Sequence, residues 1–372
     1  MIEHAFTLEI QKILTEKFGK NGDAILQNSE LLQYINLKSR AANRGSKSRG
    51  SFGNHYAVYV LVEDYIKNGF HKKIGYSDYK GAKFSDLFTR QRQLPFGSKL
   101  QNHALNHRMN EEFRKFFPQS KFIPIIRDES NRYWINENLL KVKVAKTTYN
   151  IAESVIAVID KYVITKRSAF EKFIQLCDDL NSLKENKNSE VEKFILSLIE
   201  PQVDARLFEI TSYAILKYYY HDQKVYFGFE LDSIEEENLK LYKTGRTNAN
   251  DGGIDFVMKP LGRFFQVTET LDLKKYFLDI DKIEHFPITF VVKSETSEKD
   301  LMAAFRVKAE EQYPVKAVIK RYMDCIEEII NIPTLKSRLS EAISQGYLKQ
   351  ILAEISLQSK VEFNYEDDVD DE

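Results

Sequence analysis

Cysteine is nearly absent: Cys177 and Cys325 are the two in 372 residues, and no CxxC pair occurs. That excludes a zinc ribbon and a disulfide framework, and it fits a reducing, cytoplasmic (bacterial) setting. No apolar run approaches the length that spans a bilayer, so no membrane partner is expected. The opening residues, MIEHAFTLEIQKILTEKF, carry charge throughout and read as an amphipathic helix rather than a leader. No internal repeat is visible. Acid is missing from long stretches. Residues 38–62 hold five Lys or Arg and no acid, and residues 71–110 hold eight against Asp78 and Asp86. The net charge of −1 conceals this, because residues 362–372 carry seven acids and no base, which leaves the rest of the chain at +6. A basic body suits a polyanionic partner, although a solvated basic surface has the same composition.

The chain is long enough for two cores. Phe6, Ile10, Ile13, Leu14 and Phe18 recur at helical spacing in the first 37 residues. KSRAANRGSKSRGSFGN is loop by composition. HYAVYVLVEDYIKNGF is a buried helix or, from the alternation of Val58, Val60 and Val62, a strand. Residues 83–117 predict a helix–turn–helix-like segment, broken at Pro95-Phe96-Gly97, with Ser98 capping the second helix. Short strands are expected over 121–145 and two helices over 147–181. The polar stretch 182–193 is the expected domain boundary. Beyond it the order is a long helix, strand-like segments at KVYFGFEL, GGIDFVMK, GRFFQVTE and FPITFVVKS, and helices, with the end helical from Met323 to about Leu357. This predicts an α/β (α+β) chain with three regions. Residues 1–190 form a mostly helical recognition domain, 195–330 a mixed sheet flanked by helices, and 331–372 C-terminal helices with an acidic tail.

The informative segment is GRTNANDGGIDFVMKPLGRFFQVTE, residues 245–269. A sharp polar turn ends at Asp255, at the mouth of a strand. Lys259-Pro260-Leu261-Gly262 reads as a hairpin connection that sets Asp255 beside Gln266. Alternation puts Phe264, Gln266 and Thr268 on one face of the return strand and Phe265, Val267 and Glu269 on the other. An acid on one strand and an oxygen-bearing side chain on its neighbour can hold a hard cation for phosphodiester hydrolysis.

Asp255 followed by Gln266-Val267-Thr268 resembles the PD-(D/E)XK nuclease signature, in its Mrr-like form with Gly-Gly-Ile-Asp before the strand. Phe208-Glu209 on an upstream helix is similar to the same branch. The resemblance implies a Mg2+-dependent nuclease over roughly residues 200–315. Asp255, Gln266 and the Val267 carbonyl would be metal ligands, and Glu209 an auxiliary acid. Two positions depart from the signature: Gln266 stands for an acid, and Thr268 stands where its lysine belongs. Glu269, recruited by a bulge, or Lys274 or Lys275 would then substitute. KSRGSFGNHYAVYVLVEDY resembles segments of type II restriction endonucleases.

In the basic half, Gln101, Asn102, Asn106 and Arg108 are side-chain types that pair with base edges. Arg90, Arg92 and Lys99 would lie near phosphates, and Arg44, Lys47 and Arg49 would clamp the backbone or enter a groove. A polar helix facing water has the same pattern. His103, His107 and Glu111 share a helical face, but no further ligand cluster supports zinc. The expectation is a type II restriction endonuclease that cuts double-stranded DNA as a homodimer beside a cognate DNA methyltransferase. The alternatives are a modification-dependent nuclease and a DNA-binding regulator with an inactive nuclease fold.

Overall fold

The computed structural model describes residues 2–42, 49–72, 75–98, 100–183, 187–244, 254–269, 280–281 and 286–363, without the side chains at 49, 50 and 363. The expected contacts of Arg44, Lys47, Lys99, Lys274 and Lys275, and of the Arg49 side chain, lie outside the described residues. The chain is mixed α/β and divides into two compact units, Met1–Phe173 and Ile174–Glu372. Among the described residues no helix is long and apolar enough to cross a membrane.

In the first unit α1 (Ala5–Phe18) packs on α2 (Gly22–Asn28), α3 (Glu30–Lys38) packs on α4 (Arg49–Lys67), and the four share one apolar core. Phe6, Ile10 and Leu14 are buried, with Ile13 and Phe18 packed half-buried against them, as the helical spacing predicts. Every residue from Ser51 to Val62 is buried. A helix buried on all sides shows no apolar stripe, so the alternating valines carried no information about helix or strand. Strand β1 (Ala82–Lys83) joins β2 (Ile125–Arg127) and β3 (Arg132–Ile135) in order β1-β3-β2. Helix α5 (Phe84–Gln93) is followed by Pro95-Phe96-Gly97, where a side chain on Gly97 would lie 2.3 Å from the Gln91 carbonyl oxygen. The second helix of the expected pair begins later than Ser98. It starts at His103, runs through a π-helical turn at Ala104–Arg108 and continues as α6 (Met109–Phe116). The strands β4 (Lys141–Val144) and β5 (Thr147–Asn150) form a hairpin. One helix, α7 (Ala152–Asn181), takes the place of the expected two, and the division between the units falls within it rather than at 182–193.

The second unit holds α8 (Asn188–Ser197), α9 (Ala205–Tyr219), a small hairpin of β6 (Lys224–Phe227) and β7 (Glu235–Asn238), and a five-stranded sheet. That sheet contains β8 (Lys240–Lys243), β9 (Phe256–Lys259), β10 (Arg263–Thr268), β11 (Ile288–Val292) and β12 (Ile326–Ile330), in order β12-β11-β10-β9-β8. The β8–β9 and β9–β10 pairs are antiparallel, and the β10–β11 and β11–β12 pairs are parallel. Between β11 and β12 lie α10 (Glu298–Gln312) and α11 (Lys316–Asp324); α12 (Ile332–Ser344) and α13 (Leu348–Phe363) complete the unit. Helix α9 covers one face of the sheet through Tyr213 against Phe256 and Tyr220 against Phe265. Helix α10 covers the other, with Phe305 stacked on Phe290. The alternation read along β10 therefore holds: Phe265 faces α9, and Phe264 joins the cluster beneath α10. One strand was missed. Residues 326–330, expected as helix, form β12, with Ile326, Ile329 and Ile330 buried beside the all-buried β11.

Candidate active site

The β9–β10 hairpin turns at Lys259–Gly262, where Gly262 adopts φ +67°, a left-handed conformation that favours glycine. Its register pairs Phe256 with Phe265, and the Asp255 N–H donates to the Phe265 carbonyl at 2.9 Å. The Asp255 Oδ2 accepts the Val267 N–H at 2.7 Å, so the carboxylate itself closes the end of the ladder. Asp255, just before β9, thus bonds the residues on either side of Gln266. Gln266 is buried, and among the described residues its Oε1 has no hydrogen-bond partner; its Nε2 reaches the Val267 carbonyl at 3.4 Å. An orphaned amide oxygen is costly to bury.

Helix α9 brings charge to this place. Its first turn is capped by Asp204, which accepts the Arg206 N–H at 2.9 Å. Arg206 pairs with Glu209 one turn on and with Glu362 of α13, the latter at 2.9 Å. Lys243, the last residue of β8, approaches the other oxygen of Glu209 at 3.3 Å. Glu209, Glu362, Arg206 and Lys243 all have well-shielded side chains. Among the described residues, ionised Asp255 adds a third carboxylate near Arg206 and Lys243. Burial first, and then the charge of Glu209, push the Asp255 carboxyl up to about 7, against the pull of the Val267 N–H, Arg206 and Lys243.

Asp255, Gln266 Oε1 and the Val267 carbonyl are hard oxygen donors of the kind that suits Mg2+. The Gln266 oxygen, unpartnered among the described residues, and the Asp255 carboxylate are groups that a divalent cation would satisfy, so these residues fit it. Among the described residues no group of three or more His, Cys, Asp or Glu side chains is arranged around a metal position; the donor set here draws on an amide and a backbone oxygen.

Thr268 is buried, and its carbonyl accepts the Lys293 N–H at 2.9 Å. Glu269 turns to Lys293, whose Nζ also donates to the Val203 carbonyl at 2.7 Å. Sequence reasoning missed four charged residues: Arg206, Lys243, Lys293 and, as part of a site, Glu362. Arg206 was discoverable, since it stands three residues before Glu209 on the same helix face. Lys243 immediately precedes the polar turn, on the side that the hairpin argument did not cover.

In the first unit the DNA-reading candidates divide. Arg90 is held by Glu63 in a two-pronged pair, at 2.8 and 2.6 Å, and the Asn106 Oδ1 accepts the Tyr133 hydroxyl at 3.0 Å. Arg92, which donates to the Ser98 carbonyl at 2.8 Å, is exposed, as are Gln101 and Arg108; Asn102 is half-buried. His103 and His107 stand on one face with ring centroids 6.2 Å apart, both exposed. The chain matches no family model, no curated protein and no solved structure.

Proposed function

We propose that this protein is a Mg2+-dependent endodeoxyribonuclease of the PD-(D/E)XK kind, acting as a type II restriction enzyme. The second unit cuts, and the basic first unit recognises duplex DNA. One observation supports the reading: the half-buried Asp255 carboxylate, at the entry to β9, accepts the Val267 N–H next to Gln266, whose buried side-chain oxygen has no partner among the described residues. Asp255, Gln266 and the Val267 carbonyl would hold the cation, with Glu209 an auxiliary acid. Once bound, Mg2+ would lower the pKa of a water and offset the charge that develops at the scissile phosphate. Arg206 and Lys243 keep Glu209 in place. Thr268 supplies no cation; among the described residues, Lys243 and Lys293 reach this end of the sheet. A homodimer and a partner methyltransferase belong to the same proposal, because a two-fold site is most simply cut by a two-fold protein.

The second reading is a regulator with an inactive nuclease fold. It is favoured by the absence of lysine at position 268 and by the pinning of Glu209 between two cations. A plasmid digest with Mg2+ separates the readings, with wild type and Asp255→Ala run on methylated and unmethylated DNA. Cleavage by wild type alone supports the nuclease. Cleavage confined to methylated DNA makes it modification-dependent. DNA binding by both proteins with cleavage by neither leaves the regulator.

A further inference from the structure

The β6–β7 hairpin is built tightly and points its apolar residues at water. Lys224 pairs with Asn238 and Phe227 with Glu235 across the ladder. The connecting loop closes through the Ser233 N–H on the Glu230 carbonyl at 3.0 Å and the Glu230 N–H on the Ser233 hydroxyl at 3.1 Å. At Gly228 any side chain would meet the Ser233 carbonyl oxygen at 2.5 Å. On this closed frame Phe229 is 94% exposed, Leu231 88% and Tyr226 75%. Phe227 backs Phe229 with ring centroids 5.6 Å apart. A two-stranded hairpin is marginal in water and loses more by exposing its largest side chains, so an ordered apolar tip marks a contact surface.

Its charge narrows the occupant. Glu230, Asp232, Glu235, Glu236 and Glu237 face Lys224 alone, and that lysine is already paired with Glu236 at 2.6 Å. Such a surface repels nucleic acid and anionic lipid and fits a basic surface that offers apolar side chains. The chain carries one. Residues 114–122 present Arg114, Lys115 and Lys121 to solvent beside Phe116 and Phe122, which are 48% and 39% exposed. We infer that the 224–238 hairpin of one copy docks on residues 114–122 of a second copy of this chain. Each copy carries both halves, so a two-fold dimer makes the contact twice. The inference rests on the dimer expected of the proposed restriction enzyme, and it names the surface.

The test is the mass and dissociation constant of the full chain by sedimentation, in three variants beside wild type. Phe229→Ser with Leu231→Ser weakens the dimer by about tenfold or more, the scale of losing an aromatic anchor. Lys115→Glu with Lys121→Glu weakens it too. Adding Glu235→Lys with Glu237→Lys to that second variant restores association. Higher salt weakens the wild-type dimer. Thermal unfolding confirms that each variant is folded. A monomeric wild type overturns the inference together with the dimer expectation. A dimer unmoved by Phe229→Ser and Leu231→Ser overturns the inference and leaves the dimer expectation standing. Weakening without rescue overturns residues 114–122 as the seat. The plasmid digest reports on the nuclease reading independently.

Discussion

The two units treat charge in opposite ways. In the first, the charged side chains proposed to meet DNA lie in water: Arg92 and Arg108 are exposed, and the Arg90–Glu63 pair is more than a third open to solvent on each side. In the second, half-buried Asp255, Glu209, Arg206 and Lys243 lie together with the buried Glu362. Each placement suits its task. Phosphate contacts exchange bound counterions for protein charges, which requires hydrated groups able to let go of their neighbours. A metal site needs carboxylates whose charge is poorly screened, because an incoming cation is then strongly attracted. The same residue types are therefore cheap to move in one unit and costly to move in the other.

The largest effect that can break this comparison is at Asp255. Asp255→Ala removes the proposed central ligand and, on that proposal, is expected to lower single-turnover cleavage by about a thousandfold or more, since metal stabilisation of such a transition state is worth several kcal/mol. Binding of the same DNA in Ca2+ should change little. Equal loss of binding and cleavage would mean that Asp255 supports the fold rather than the chemistry. Next comes Arg206→Met. It takes away the cation shared by Glu209 and the fully shielded Glu362, and breaking such a buried pair costs about 3 kcal/mol. Denaturant unfolding monitored on the second unit reads this directly. A shift below about 1 kcal/mol would place the cluster among ordinary surface pairs.

Much of this site was legible in the sequence, for a physical reason. A strand, a four-residue connection and a return strand fix their own register, so the placement of Asp255 against the Phe265–Val267 stretch of β10 follows from local spacing. Arg206, Lys243, Lys293 and Glu362 reach the site from separate elements, and only tertiary packing brings them together. The same division runs through the fold. The α1 stripe of Phe6, Ile10 and Leu14 was readable because one face of that helix stays wet. Helix α4 was not, because burial on all sides erases the pattern that distinguishes helix from strand, and β12 was not, because its buried Ile326, Ile329 and Ile330 recur at the spacing of a helix.

Proton linkage sharpens the comparison, since the units hold buried titratable groups of opposite preference. His55 in the first unit packs its ring 4.4 Å from that of Tyr162, and burial pulls its pKa down to about 3. Its folded pKa lies below the ordinary value near 6.5, so its stabilising contribution is complete above that value and is lost as pH falls towards about 3. Asp255 runs the other way. Its folded pKa is raised from 3.8 to about 7, so its contribution is present at low pH and is lost as pH rises through about 7. In chelator-treated protein, Asp255→Asn should therefore gain stability over wild type between about pH 5 and 8, as read by melting temperature across that range. Wild type should bind Mg2+ more weakly as pH falls below 7, because proton and cation compete for the same oxygens. A flat difference between the two proteins would show that Asp255 stays ionised throughout.

The smallest expected effect is at Arg90, and it tests whether charge in the first unit can be moved cheaply. The Arg90–Glu63 pair is well formed but open to water, so Arg90→Ala should cost under about 1 kcal/mol in stability. Its consequence belongs in DNA binding. If Arg90 leaves Glu63 for a phosphate, the slope of log affinity against log salt should become shallower by about 0.9 in the alanine variant, one counterion's worth, with affinity lowered alike on all sequences. Glu63→Gln should have the opposite effect on affinity, because it frees the guanidinium without removing it. An unchanged salt slope in Arg90→Ala would mean that the pair survives DNA binding. Arg90 would then be a brace between α4 and α5, and phosphate contact would fall to exposed residues such as Arg92 and Arg108.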